Sequence, residues 1–208
     1  MEQFKTYMGE DFEPLSPDID KLHIEDIAHA LSLMCRANGH ISRFYSVAQH
    51  SLNCAKEAEA RGLSERMQLV CLLHDASEAY LSDITRPVKK YLSEYQQIEK
   101  RLQEMIYCKF LGSNLTDDET SIVNQIDNDM LACELNALMK MEVYGVLPKM
   151  CREPSFEFIG FHKTENEFIQ LYSEICRRPF VKTPDVTDII SELENLFQSK
   201  SKNEVIDI

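Results

Sequence analysis

The chain has 208 residues, 44% of them hydrophobic, enough to bury a sizeable core as one domain or as one domain with a small appendage. Its formal net charge of -13 repels polyanions at long range, which excludes nonspecific binding to nucleic acid polymers and to anionic membrane surfaces. No apolar run approaches the ~20 residues of a membrane span, and the acidic N-terminus lacks a basic leader followed by an apolar segment, so neither membrane insertion nor export is indicated.

In chain order, TYMGEDFEPLSPD offers a short extended piece, and IEDIAHALSLMCR then places Ile24, Ile27, Leu31 and Met34 on one face of an amphipathic helix. A second helical pattern runs from Val47 to Arg61 and stops at Gly62; Ser64 caps a third that passes through Met67, Val70, Cys71 and His74. Pro87 interrupts the pattern after Asp83. A long helix is expected from about Lys90 to Leu111, ending at Gly112, and Asp117 or Asp118 opens another through Ile122, Ile126, Leu131 and Leu135. From Tyr144 to His162 the chain is irregular, with Phe156, Phe158 and Phe161 packing it down. Two further helical patterns cover Thr164–Cys176 and Pro184–Phe197, before a frayed tail. The expectation is a compact, nearly all-α helical bundle over residues 1–178, with a short C-terminal helix and tail over 179–208. Seven cysteines, an odd number without a CxxC pair, read as reduced, buried thiols of a cytoplasmic protein.

The chemistry concentrates around His74-Asp75. This pair follows the apolar run VCLL, so a helix that should be buried ends in two groups that are expensive to bury without partners. His50 lies on the preceding helix among Val47, Leu52 and Ala55, and Asp127 or Asp129 lies on a later one. Two imidazoles and two carboxylates complete a ligand set for one divalent transition metal (Mn, Fe, Co, Ni or Zn), because Ca²⁺ and Mg²⁺ ask for oxygens and a structural zinc asks for cysteines. The bland readings stand beside this one: a hydrogen-bonded core histidine for His50, a helix-end pair reaching solvent for His74-Asp75, and a solvated carboxylate for either aspartate. Helical periodicity does not separate Asp127 from Asp129.

The order His50, His74-Asp75, Asp127 resembles the metal-binding signature of the HD-domain superfamily of phosphohydrolases. More closely, IEDIAHALSLMCRANGHISRFYSVAQHS, LLHDASEAYLSDITRPVK and IDNDMLACELNALM are similar to a bacterial and phage branch related to 5′-deoxynucleotidases, over roughly Thr6 to Leu138. In that branch the last aspartate precedes a short apolar run, then threonine or cysteine, then glutamate; Cys133-Glu134 sets this register and selects Asp127. The resemblance implies an HD-domain helical bundle with metal ligands His50, His74, Asp75 and Asp127. It makes Glu78 the group that orients or deprotonates water, with Asp75 sharing that work and Asp83 assisting catalysis or contacting substrate. Arg36 and Arg43 would lie near the substrate phosphate, where guanidinium forks suit a phosphoryl group, and Lys89 is a further candidate; an ordinary surface ion pair is the alternative for each. His29 and His40 would be structural.

The implied activity is hydrolysis of a phosphate ester by a metal-activated water, with a (deoxy)nucleoside monophosphate as small-molecule substrate and a homo-oligomer as the working form. A small deoxynucleoside triphosphate hydrolase is the nearest rival. The chain lacks a GYP element and large accessory segments, and His162 is the lone histidine of its second half, which sets aside cyclic-dinucleotide phosphodiesterases, long triphosphohydrolases and di-iron oxygenases of the superfamily. A noncatalytic nucleotide-binding regulatory domain would need the pocket but not Glu78 and Asp83.

Overall fold

The computed structural model describes residues 3–139 and 146–177. An antiparallel pair, β1 (Phe4–Lys5) and β2 (Asp11–Phe12), sets Phe4 opposite Phe12; β2 falls within the stretch expected to be extended, and β1 lies just ahead of it. The described residues are otherwise mostly helical: α1 (Ile24–Leu33), α2 (Val47–Ala60), α3 (Glu65–Leu73), α4 (Glu78–Leu81), α5 (Arg86–Lys89), α6 (Ser93–Leu111), α7 (Asp117–Leu138) and α8 (Phe161–Cys176).

Local chemistry explains where these helices begin and end. Ser46 and Gln49 form a reciprocal capping box at the start of α2, Ser64 caps α3, and Thr116 with Glu119 forms a second box at α7, one residue ahead of the expected opening. Gly62 and Gly112 follow α2 and α6 with φ of 72° and 81°, a left-handed conformation glycine adopts without steric cost.

Three boundaries differ from the sequence reading. The first helix stops at Leu33 because Cys35 bridges to Ser46: Arg36 N–H donates to Tyr45 O at 2.9 Å and Val47 N–H to Met34 O at 3.0 Å. The chain then turns through Ala37 and Asn38, both left-handed, so Arg36 leaves the α1 face and lies beside the start of α2. The expected Lys90–Leu111 helix begins at Ser93 instead, because Leu92 is non-helical ahead of α6, and the four-residue α5 with Pro87 in its first turn precedes it. The last helix begins at Phe161 rather than Thr164, with Gly160 as its N-cap.

The bundle is organised around α2, which packs against α1, α3, α7 and α8. Val47, Ala48, His50, Leu52, Cys54, Ala55 and Ala58 on α2 are all buried, so polar groups are carried into the core with the apolar ones. Phe12 stacks on Tyr80 at 4.3 Å and ties β2 to α4. Phe156 meets Tyr45 edge-on, but Phe158 is 64% exposed and packs down less than expected. The cysteines are free, as expected, yet only Cys54 and Cys71 are buried; Cys108 and Cys151 are exposed because they fall on the outward side of α6 and on the loop before α8. No helix among the described residues is long and apolar enough to cross a membrane. The Pro184–Phe197 helix, the tail and the division at residue 178 lie outside the described residues.

The loop before α8 is pinned from below by Glu57. Its carboxylate is buried and accepts from Cys151 N–H at 3.0 Å, Arg152 N–H at 2.9 Å and Arg61 Nε at 2.8 Å. Glu57→Ala would leave two amides and the Arg61 Nε–H without their acceptor, while Arg61 keeps Asp129, costing about 2–4 kcal/mol at roughly 1–3 kcal/mol per orphaned group. A drop in thermal midpoint with faster amide exchange at Cys151 and Arg152 is the expected result, and an unchanged midpoint would contradict the pinning role.

Candidate metal centre

Four elements deliver the polar groups. The middle of α2 carries His50; the C-terminal end of α3 carries His74, with Asp75 in the turn that follows; α7 carries Asp127 and, two turns on, Glu134; the turn after α1 carries Arg36. The α3 helix stops where its apolar run ends, and Ala76 N–H bonds back to Leu73 O in the turn that sets Asp75 beside His74.

His50 Nε2 lies 3.1 Å from His74 Nε2, 3.2 Å from Asp127 Oδ1 and 3.7 Å from Asp75 Oδ2. His74 Nε2 lies 3.4 Å from Asp75 Oδ2 and 3.9 Å from Asp127 Oδ1. The far nitrogen of each ring is engaged elsewhere. His50 Nδ1 is 2.6 Å from Glu134 Oε1, and His74 Nδ1 is 2.8 Å from the Cys71 carbonyl oxygen. Each of those partners is an acceptor, so each Nδ1 carries the proton and each neutral imidazole presents a bare Nε2 lone pair. Two lone pairs and two carboxylate oxygens then converge with no donor among the four. Metal–ligand bonds of about 2.0–2.2 Å put neighbouring ligand atoms about 3 to 4 Å apart, which is the spacing here, so the donor set fits one divalent transition cation.

The electrostatics carry the same message. Burial and the Arg36 charge push His50 down, yet Cys54 and the carboxylates of Glu134 and Asp127 together outweigh them and its pKa lies well above the ordinary value. For His74 burial is likewise outweighed by Asp75 and Asp127, and its pKa is raised. Burial pushes Asp127 up, but its bonds to His50 and His74 prevail and hold it far below the usual carboxylate range. Protons on the two imidazoles are thus the alternative to a metal between these groups. Glu134 is pushed up by burial and pulled further down by His50 and Arg36, to about 2.

The expected phosphate-binding residues divide. Arg36 is at the centre, with Nη1 3.3 Å from Asp75 Oδ2 and Nη2 3.2 Å from Glu134 Oε2; burial lowers its pKa, and Glu134, Asp75, Asp83 and Glu78 more than reverse that. Lys89 lies close by, 2.7 Å from Glu99 Oε1 and 3.9 Å from Glu78 Oε1. Arg43 is in a different place: half-exposed, it pairs with Glu157 at 3.0 Å beside a cavity of about 470 Å³ that Leu138 and Phe156 also line. The surface-pair alternative describes it, because the turn at 37–39 separates it from Arg36.

Glu78 is buried at the start of α4, its Oε2 without a hydrogen-bond partner. Burial, then the neighbouring charges of Asp75 and Asp83, push its pKa well above the usual carboxylate value. Asp83 is also raised, by burial first and by Asp75; it follows Ser82, whose φ is 91°. Asp129 turns away from the cluster, bonded to Arg61 at 2.8 Å. His29 stacks on Tyr7 at 3.7 Å and reaches Glu165 at 3.3 Å, and His40 is exposed, so neither belongs to the cluster.

Three contributors were not singled out from sequence. Glu134 had served only to set a register, yet it holds both His50 and Arg36. Arg86 on α5 donates to Asp127 Oδ2 at 2.6 Å and to Asn128 Oδ1 at 2.7 Å; no spacing rule links 86 to 127. Cys54 lies one helical turn beyond His50, with Sγ 3.6 Å from His50 Nε2, and the H-x-x-x-C spacing on a helix was the available signal.

No family model matches the chain. It is 36% identical over 134 residues to the uncharacterized protein YfdR of Escherichia coli K12, an overlap of 64% of this chain and 71% of that one. An uncharacterized protein of Rhodobacter capsulatus is 39% identical over 49% of this chain and 55% of its own. A 5′-deoxynucleotidase of Cronobacter sakazakii is 32% identical over 41% of this chain and 56% of its own length; the chain therefore spans little more than half of these last two relatives. With more than two thirds of YfdR covered at this identity, the chain belongs to the family of that Escherichia coli protein.

Proposed function

We propose that this protein is an HD-type, metal-dependent phosphohydrolase that removes phosphate from (deoxy)nucleoside monophosphates, with His50, His74, Asp75 and Asp127 as metal ligands. The observation that carries the reading is the pair of bare Nε2 atoms, 3.1 Å apart, facing two aspartates with every Nδ1 proton engaged elsewhere. Relatives named 5′-deoxynucleotidase support the substrate class.

A divalent cation held there supplies Lewis-acid polarisation of a phosphate oxygen and an acidified water. The protein's own groups do the rest. Glu78 takes a proton as water forms the new P–O bond, and the proton passes to the 5′ oxygen as the ester P–O bond breaks; its upward-shifted pKa suits a group that both accepts and returns a proton. Arg36 fixes Asp75 and Glu134 and lends charge to the phosphoryl oxygens, while Lys89 tempers the charge of Glu78 from 3.9 Å. Asp83, half-buried and near enough to Glu78 and Arg36 to bear on their charges, is the group proposed to contact the substrate beyond its phosphate.

Incubation with a panel of deoxynucleoside and ribonucleoside mono- and triphosphates, with Mn²⁺, Co²⁺ or Zn²⁺, tests the substrate class by its products. Inorganic phosphate from monophosphates is expected. Inorganic triphosphate from deoxynucleoside triphosphates, with monophosphates untouched, would overturn the assignment.

Asp127→Ala is expected to lose the metal, whereas Asp129→Ala keeps it and costs only the contacts to Arg61 and Gln125, of which the partly exposed ion pair is within about 1 kcal/mol. Metal content by elemental analysis separates them, and metal lost only from the Asp129 variant would contradict the ligand assignment.

The metal's effect on stability also depends on pH. In chelated protein, His50 and His74 have pKa values raised above the unfolded value of roughly 6.5. Their contribution is therefore complete below ~6.5 and is lost as pH rises through the raised values. Bound metal replaces those protons, so the gap in thermal midpoint between metal-loaded and chelated protein should widen as pH rises from ~6 to ~8. A gap that stays constant or narrows would count against the site.

A further inference from the structure

Cys54 lies against the cluster, and the proposed chemistry has no use for it. It is 1% exposed, sits on α2 one turn beyond His50, and has its Sγ 3.6 Å from His50 Nε2. The sulfur and the two Nε2 atoms all lie within 4.8 Å of one another. A tetrahedral centre with Zn–S of about 2.3 Å and Zn–N of about 2.0–2.1 Å requires a sulfur–nitrogen separation of about 3.6 Å and a nitrogen–nitrogen separation of about 3.3 Å. The observed values are 3.6 Å and 3.1 Å.

The placement of the groups favours ligation over simple packing. Cys54, His50 and His74 approach the cluster from the buried side, whereas Asp75 and Asp127 approach from the side that is about one-fifth exposed. A cation bonded to sulfur and both nitrogens therefore leaves its carboxylate side accessible to substrate. The sulfur's ordinary alternative is an S–H donated to His50 Nε2, which would spend the lone pair that the Nδ1 contact to Glu134 leaves free.

We propose that the Cys54 thiolate is a ligand of the metal centre, giving it an N₂S inner face and a preference for thiophilic divalent cations, Zn²⁺ and Co²⁺, over Mn²⁺ and Mg²⁺. On binding, the metal–sulfur bond forms as the S–H bond breaks, and the proton leaves to solvent. Nitrogen and oxygen donors already rank Zn²⁺ and Co²⁺ above Mn²⁺, and a soft thiolate widens that margin. The inference rests on the proposed centre at His50 and His74, but it makes a claim of its own about the sulfur.

The test uses full-length protein loaded with one equivalent of Co²⁺ and read by absorption. Wild type should show a thiolate-to-cobalt charge-transfer band in the near ultraviolet together with visible d–d bands. Cys54→Ser should lose the charge-transfer band, keep d–d bands, and lower the ratio of Zn²⁺ to Mn²⁺ affinity by about 10- to 100-fold. Cys54→Ala, checked for native helical content by circular dichroism, guards against a packing effect particular to serine and should behave alike. Visible bands without charge transfer in wild type would overturn the sulfur ligand and leave the His50–His74 centre standing. Absence of any Co²⁺ bands would remove both.

Discussion

Asp75→Ala is expected to strip the protein of its metal and of its phosphohydrolase activity together, whereas Glu78→Gln should keep the metal and lower kcat by about 10²- to 10⁴-fold, the usual worth of general acid–base catalysis. The asymmetry follows from position. Asp75 Oδ2 faces both imidazole nitrogens, at 3.7 and 3.4 Å, and also holds Arg36 at 3.3 Å. Its removal would take away a proposed ligand and free a buried guanidinium to move toward the histidines it would repel. Glu78 is a helical turn away, and its Oε2 has no hydrogen-bond partner, so glutamine fills the same space and removes only the ability to carry the proton. Metal content and kcat measured on the same preparations check both halves. Metal lost from Glu78→Gln, or activity surviving in Asp75→Ala, would refute this division of work.

Glu134→Ala should have the largest effect on stability. Its carboxylate is 6% exposed and accepts from His50 Nδ1 at 2.6 Å and Arg36 Nη2 at 3.2 Å. Truncation leaves a buried arginine with one fewer counter-charge, and removing one partner of a buried pair costs about 3–5 kcal/mol. It also releases the His50 ring, for which a loss of about 10- to 100-fold in metal affinity is expected. Glu134→Gln should separate the two effects, because its amide oxygen still accepts from Nδ1–H while its charge is gone: metal affinity largely recovers and stability does not. Denaturant unfolding of chelated protein, paired with metal titration, reads each quantity. A Glu134→Ala variant within about 1 kcal/mol of wild type would show that Arg36 does not depend on it.

Much of the fold could be read from the sequence because its signals are local. Ser64, Gly62 and Gly112 act within one turn of their own backbone, and the apolar spacing on α1 reports which face is buried; on α7 it does not, because Val123, Ile126, Met130 and Leu138 are buried while Ile122 is exposed, leaving Ile126 alone of the expected face fully inside. The early end of α1 was not legible, since the bridge between Cys35 and Ser46 is made across an intervening loop. For the site, proximity along the chain gave His74-Asp75, and resemblance gave its partners. Periodicity could not choose between Asp127 and Asp129; the three-dimensional partners do, Arg61 drawing Asp129 to one side while Asp127 faces His50. Arg43 pairs with Glu157, the surface alternative that the sequence leaves open, for a related reason. It is seven residues from Arg36 in sequence, but a left-handed turn through Ala37 and Asn38 sends the two in different directions. Arg86 and Cys54 were passed over because an exposed arginine and a buried cysteine look ordinary until their neighbours are known.

The most direct measurement of the central claim is phosphate release from a deoxynucleoside monophosphate by chelated protein as a divalent transition metal is added back. No turnover before addition, followed by a rise that saturates at one metal per chain and is absent in Asp75→Ala, is the expected result. Nucleotide bound with clear affinity but not hydrolysed with Mn²⁺, Co²⁺ or Zn²⁺ would contradict it, and would make the cluster of His50, His74, Asp75 and Asp127 a binding site rather than a catalytic one.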